Sequence, residues 1–180
     1  MKLLLHTCCA PCSVYCVESL QKENIDITSY WYNPNIHPYK EYEARLSSLK
    51  EYNKMINVPL IIDDYYGLKE FCKNLIDKLD NRCGYCYLCR LEKTAKYAKE
   101  NGYDAFSTTL LISPYQNHEL LKKTGEMIEK KYNIKFLYRD FRPGFREGRE
   151  KARSLGLYMQ KYCGCVFSEE ERYEKLIEKN

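Results

Sequence analysis

Residues 6–12 read HTCCAPC, which sets Cys8, Cys9 and Cys12 close together directly after the apolar run KLLL. A second group, RCGYCYLCR over residues 82–90, spaces Cys83 and Cys86 as C-x-x-C and adds Cys89. A third, YCGC over residues 162–165, puts Cys163 and Cys165 on either side of Gly164. A C-x-x-C pair presents two thiolates to one metal or cluster from a single turn of backbone. Joined by a vicinal pair from another loop, it makes four sulfur ligands, a donor set that suits zinc and iron–sulfur alike. Two features favour iron–sulfur: adjacent cysteines chelate one small tetrahedral ion awkwardly, and spare thiols nearby suit electron transfer.

The C-G-C spacing is different in kind. Cys163 and Cys165 could close a very small disulfide ring whose strain makes it readily reducible, with Gly164 letting the backbone bend, so the pair suits cycling between dithiol and disulfide. The other reading makes them additional cluster ligands. Cys16 lies inside an apolar helical pattern, and Cys72 falls among Leu68, Phe71, Leu75, Ile76 and Leu79 at helical spacing, so both read as packing residues. Cys89 sits beside Arg90 on the opening turn of an expected helix and either ligates or flanks the site.

Composition bounds what this sulfur chemistry can belong to. A chain of 180 residues, 44% hydrophobic and 30% charged, fits one soluble domain, here taken as residues 1–180. The start has one basic residue and a three-leucine run, too short for a signal-peptide core, and no apolar stretch approaches a membrane span. The expected location is the cytoplasm, where thiols stay reduced and ten cysteines imply metal or redox chemistry before structural disulfides. A net charge of +4 is mildly basic and does not choose a partner. Eighteen tyrosines offer rings that stack on unpaired bases, although most tyrosines line a core rim.

The elements that must position the cysteines follow from hydrophobic periodicity. KLLLHTC reads as a buried strand and Pro11 as the first turn of a helix. Residues 26–35 predict a second strand ending at NPN, residues 39–56 a helix with Tyr42, Leu46, Leu49 and Met55 on one face, and residues 58–66 a third strand. Helices are expected over 67–79 and over 86–103 with Gly102 closing the second, then a strand over 104–112 and a helix over 117–133. A fifth strand over 134–141 and helices over 146–162 and 168–179 complete the chain. Strands alternating with helices imply a mostly parallel sheet in a three-layer, Rossmann-like α/β domain, with ligands at the carboxyl ends of the strands. Cys8, Cys9 and Cys12 stand at such an end, so their sulfurs are expected in the crevice. No phosphate-cradling glycine motif accompanies them.

Taken together, HTCCAPC, NPNIHPYKEYEARL, NRCGYCYLCRLEKTA, FSTTLLISPYQNH, YRDFRPGFREG and YMQKYCGCVFS resemble the QueH-type, cobalamin-independent epoxyqueuosine reductases, in order and across nearly the whole chain. The resemblance implies reduction of epoxyqueuosine to queuosine at the wobble position of tRNA. It implies a 4Fe–4S cluster on Cys8, Cys9, Cys83 and Cys86, and an additional mononuclear iron for which Cys12 is a candidate ligand. It also implies a redox-active disulfide at Cys163 and Cys165. The partners implied are a tRNA carrying epoxyqueuosine in its anticodon loop and an electron donor that the residues do not identify.

A splayed anticodon loop is gripped by aromatic rings and arginine planes. Arg146, Arg149 and Arg153 recur along one helical stripe, with Arg139 and Arg142 just before it, and are the candidate tRNA contacts; the plainer reading is a solvated face offset by Glu147 and Glu150. Two other functions fit the cysteines: a zinc-stabilised binding module without catalysis, and a generic thiol-disulfide oxidoreductase.

Overall fold

Leu3, Leu4 and Leu5 are all fully buried, as an uninterrupted apolar strand must be when both faces of its sheet are covered. They form β1 (Lys2–His6), the centre of a five-stranded sheet with β2 (Asp26–Trp31), β3 (Leu60–Ile62), β4 (Ala105–Thr108) and β5 (Lys135–Phe136). The order is β3-β2-β1-β4-β5 and every pairing is parallel. This computed structural model describes residues 1–178, and the last residue of the expected closing helix, Lys179, lies outside them.

The helices are α1 (Ala10–Lys22), α2 (Tyr39–Met55), α3 (Leu68–Leu75), α4 (Arg82–Glu100), α5 (His118–Tyr132), α6 (Phe145–Ser154) and α7 (Val166–Ile177). From β1 the chain steps outward to β2 and β3, then returns to place β4 and β5 on the other side. Right-handed crossovers in opposite directions put their helices on opposite faces, which makes the three layers. On one face α4 packs on β1, β4 and α5; on the other, Ala10, Val14, Tyr42, Leu46, Leu49 and Ala152 join α1, α2 and α6 in one apolar cluster. The α/β architecture expected from the sequence is the one observed.

Several expected elements are shorter, for local reasons. The fourth strand stops at Thr108, whose hydroxyl accepts from the Leu110 amide and turns the chain into a 3-10 turn, Thr109–Ile112. With β4 curled away, β5 has a partner only as far as Leu137, whose amide donates to Phe106 O, so the expected strand to residue 141 ends early. The third strand keeps three residues, Leu60–Ile62. The expected helix over 67–79 ends at Leu75, and that over 146–162 ends at Ser154, beyond which Gly156 takes φ +69. Met55, placed with the apolar face of its helix, is 60% exposed because it falls in the last turn. In contrast α4 starts earlier than expected, at Arg82, so its C-x-x-C lies within the opening helical turn. Pro11 in the first turn of α1 and Gly102 just past α4, at φ +70, stand as the sequence indicates.

The fit of α5 onto the sheet edge is tight at one point. A Cβ on Gly125 would lie 2.2 Å from Phe136, a buried ring that packs against Phe106 with centroids 5.2 Å apart. In Gly125→Ala, overpacking of about 1–3 kcal/mol opposes a helix-propensity gain of about 1 kcal/mol. The rigid ring contact puts the overpacking toward the top of its range. The expected outcome is a melting temperature lowered by roughly 3–6 °C, measured by circular dichroism.

Candidate metal centre

His6 ends β1, and its ring ties that end to both neighbours. Nε2 faces the carbonyl of Tyr32 (3.3 Å) and Oδ1 of Asn33 (3.2 Å), so it carries the proton, and Nδ1 accepts from the Thr108 hydroxyl (2.9 Å). Burial, then the Arg90 charge, holds its pKa down to about 4, which keeps the imidazole neutral. Asn33 in turn donates to the carbonyl of Thr7 (2.9 Å). The turn carrying Cys8 and Cys9 is thereby fixed between the ends of β2 and β4.

Cys8, Cys9 and Cys12 bring their sulfurs within 4.8 Å of one another. Cys8 Sγ lies 3.8 Å from Cys9 Sγ and 3.5 Å from the Thr109 hydroxyl, which also accepts from the Cys8 amide (3.2 Å). Cys9 is the N-cap of α1 and Pro11 opens the helix, so no side chain caps the free amides there. The positive end of the helix dipole lies beside the sulfurs. Hydrogen bonds from Cys12 and Cys9 hold the Cys8 thiol well below the ordinary thiol range, whereas burial pushes Cys9 up. Hydrogen bonding to Cys8 raises Cys12.

Cys8 and Cys12 line a cavity of about 410 Å³. Cys9 departs from the expected crevice position: it is 1% exposed and covered by Gln160, whose amide donates to Cys9 Sγ (2.9 Å) and Cys12 Sγ (3.5 Å). The carbonyl oxygen of Gln160 is buried with no hydrogen-bond partner. Three clustered soft thiols are a donor set that fits a thiolate-bound metal. Cys8, Cys9 and Cys12 could hold such an ion.

Cys83, Cys86, Cys163 and Cys165 line a second cavity of about 220 Å³. Tyr115, Gln116, Cys163, Ser168 and Glu171 line both cavities, so the two adjoin and Cys163 borders each. Behind Cys86 stands Arg90, 1% exposed, donating through Nη2 to Cys86 Sγ (3.0 Å) and through Nε to Cys86 O (3.0 Å). Burial works against its charge, but the thiols of Cys86, Cys163, Cys89 and Cys8 hold its proton more tightly than usual. Among the described residues no carboxylate forms a salt bridge with Arg90. A buried cation demands an anion, and sulfur is what surrounds this one.

The C-G-C turn is clamped from α2. Arg45, 1% exposed, donates to Glu41 (2.7 Å), to Cys163 O (2.8 Å) and to Tyr162 O (2.9 Å). Tyr158 donates to Glu41, Tyr162 to the carbonyl of His37, and the His37 amide to Gly164 O (2.7 Å). Gly164 has φ +147, and a Cβ there would meet Ile36, Asn35 and Arg45 at 3.2–3.3 Å, so glycine is required for both conformation and space. Cys163 and Cys165 are free thiols, one exposed and one buried. Gln116 donates to Cys163 Sγ (3.2 Å), and the Cys165 thiol donates to Ser168 Oγ (3.5 Å).

The structure therefore brings Cys8, Cys9 and Cys12 within metal-ligand reach of one another and sets Cys83, Cys86, Cys163 and Cys165 around the adjoining cavity. Cys16 is buried, as expected, whereas Cys72 is only half-buried because Ile76 and Leu79 beside it face solvent. Cys89 donates to Cys86 O (3.4 Å) and lines neither cavity. Of the five arginines considered, Arg149 lines the larger cavity, Arg146 and Arg153 are exposed along α6, and Arg139 and Arg142 are paired with Glu23 and Asp140. Arg45, Arg90, Gln116 and Gln160 were missed by the motif reading. A signal existed for two of them: Arg45 falls between Tyr42 and Leu49 on the apolar stripe of its helix, and Arg90 follows Cys86 by one turn.

The chain matches known proteins along nearly its whole length. The family model described as Epoxyqueuosine reductase QueH matches residues 3–171. The Epoxyqueuosine reductase QueH of Dehalococcoides mccartyi is 40% identical over 174 residues, covering 97% of this chain and 96% of the relative. That of Thermotoga maritima is 36% identical over 185 residues, covering 98% and 94%. Among solved structures, a "predicted subunit of tRNA methyltransferase" from Methanocaldococcus jannaschii superposes with a TM-score of 0.53 at 12% identity, covering 99% of this chain and 88% of that one, a likeness of fold alone.

Removing the Arg90 charge tests whether it balances the sulfur centre. A hydrogen bond from a buried cation contributes about 1.5–3 kcal/mol. Arg90→Met is therefore expected to release metal to a chelator at least about tenfold faster than the parent, with Arg90→Lys between the two. Unchanged release in Arg90→Met, measured by metal analysis over time, contradicts the assignment.

Proposed function

Because the chain belongs to the epoxyqueuosine reductase QueH family, we propose that it reduces epoxyqueuosine in tRNA to queuosine in the cytoplasm, using a sulfur-ligated iron centre. The observation that carries this reading is the convergence of three cysteine groups on two adjoining cavities, with Cys163 bordering both. In it Cys8, Cys9, Cys83 and Cys86 hold a 4Fe–4S cluster and Cys12 ligates an additional mononuclear iron, the side-chain nitrogen of Gln160 lying 3.5 Å from that thiol. When bound, these groups supply single electrons and a Lewis-acidic site for the epoxide oxygen.

Removing the epoxide oxygen leaves an alkene and water, and consumes two electrons and two protons. Cys163 and Cys165 passing from dithiol to disulfide release two electrons and two protons, so one oxidation of the pair balances one substrate. An electron donor then restores the dithiol. Exposed Cys163 reaches either cavity, Gln116 orients its sulfur, and the Arg45 clamp holds the turn while its thiols change state. For tRNA, Arg149 at the cavity is the best placed of the five arginines, and Arg146 and Arg153 extend from it along α6. Arg139 and Arg142 can contact phosphate only by leaving Glu23 and Asp140.

The test is turnover of epoxyqueuosine-containing tRNA by anaerobically purified protein, with iron and sulfide analysis. Cys8→Ala, Cys9→Ala, Cys83→Ala and Cys86→Ala are each expected to lose cluster absorbance and activity, while Cys72→Ala keeps both. A colourless active protein carrying zinc and no iron would overturn the reading.

Electron supply is separable from the cluster. The double variant Cys163→Ser, Cys165→Ser is expected to retain cluster and tRNA binding but to stop sustained turnover with the biological donor, and a strong chemical reductant should restore part of the activity. Loss of the cluster would make the pair ligands, and normal turnover would remove their redox role.

A further inference from the structure

We propose that Tyr115 is a stacking platform for an unpaired RNA base at the mouth of the sulfur-lined cavities, an inference that rests on the tRNA reading above. Tyr115 is 84% exposed, more than any other large hydrophobic side chain among the described residues. A lone exposed ring is ordinary on a protein surface. This one is distinguished by where it stands: it lines both the cavity that carries Cys8 and Cys12 and the one that carries Cys83 and Cys86.

The segment beneath it is held. Beyond the 3-10 turn that follows β4, the Tyr115 amide donates to Ser113 Oγ (3.3 Å) and the Gln116 amide to Ser113 O (3.3 Å). Gln116 is fixed further by Tyr87, whose hydroxyl donates to Gln116 Oε1 (2.7 Å). The tyrosine ring meets Phe145 at 80° with centroids 5.9 Å apart, an edge-to-face contact that leaves at least one face of Tyr115 bare. On that same Phe145 the Arg149 guanidinium sits 5.5 Å from the ring centroid. Lys161 and Arg172 also line the larger cavity, and its one carboxylate, Glu171, is engaged by Arg82.

A bare aromatic face on a cavity that Arg149, Lys161 and Arg172 also line is the composition that seats single-stranded bases, the ring taking the base and the cations the phosphates. Chemistry on a base also requires that the base leave its stack, and an extruded base needs a new stacking partner. The larger cavity, about 410 Å³, has room for a group of small-molecule size. The reacting arm of the nucleotide can then enter toward Cys8 and Cys12 while its base rests at the mouth on Tyr115.

Fluorescence anisotropy with a labelled anticodon stem–loop carrying epoxyqueuosine tests this on the metal-loaded protein. Tyr115→Ala is expected to weaken binding about tenfold and Tyr115→Leu by a similar factor, whereas Tyr115→Trp stays within about twofold of the parent. Iron content and the slope of log affinity against log salt should be unchanged in Tyr115→Ala, while Arg149→Gln flattens the slope by about 0.7. Parent-like binding by Tyr115→Ala or Tyr115→Leu, with the parent itself binding, overturns the stacking role and leaves the tRNA reading standing. A parent protein that does not bind the stem–loop overturns both.

Discussion

His6 is fully buried at the end of the central strand, and its two ring nitrogens reach in opposite directions, one to Thr108 on β4 and the other to Asn33 and Tyr32 beyond β2. A neutral imidazole with one donor and one acceptor is suited to this because each neighbour requires the opposite role. The carboxyl ends of three adjacent strands are held level, and the segments that leave them carry Cys8 and Cys9, the Asn35–His37 stretch that receives Gly164, and the Thr109 hydroxyl beneath Cys8. The contacts of Cys8 with Thr109 follow from that alignment. The crevice also lies where the chain reverses its direction of travel across the sheet, between β1 and β4, the place where open α/β sheets collect ligands.

Sulfur in such quantity sets an electrostatic requirement that the rest of the molecule meets with two buried guanidiniums. Arg45 brings its own counterion, Glu41, and spends its remaining donors on backbone carbonyls of the C-G-C turn, so its work is largely mechanical. Arg90 brings none, and its charge is directed at Cys86. Two residues of one type thus serve different ends: one fixes the backbone of the C-G-C turn, the other sets its charge against the sulfur of the C-x-x-C pair.

The fold was legible because its strands are apolar and its crossovers obey one hand; the run Leu3–Leu5 and the Pro11 helix start suffice to locate Cys8 at the ligand-binding end. Strand lengths were not, since the halt of β4 depends on a single hydroxyl, Thr108, bonding back to the Leu110 amide. Cysteine spacing marked the three groups but could not show that Cys163 borders both cavities, because that contact joins Gln116 to a residue far along the chain. Arg90 lay hidden beside Cys89, which drew attention for its sulfur and turns out to face a backbone carbonyl. Tyrosine abundance was likewise uninformative until exposure separated Tyr115 from Tyr30, Tyr52 and Tyr87, all buried.

The Arg45 clamp has a consequence for how the protein is made. Its partners, Tyr162 and Cys163, stand nearly 120 positions after Arg45, at separations of 117 and 118. During synthesis at about 5–20 residues per second, Cys8, Cys9 and Cys12 emerge about 7–30 seconds before the segment that covers them. Over that interval the N-terminal thiols have neither Gln160 nor the C-G-C turn above them. The order of the chain thus brings out the thiols of Cys8, Cys9 and Cys12 first and the residues that cover them last.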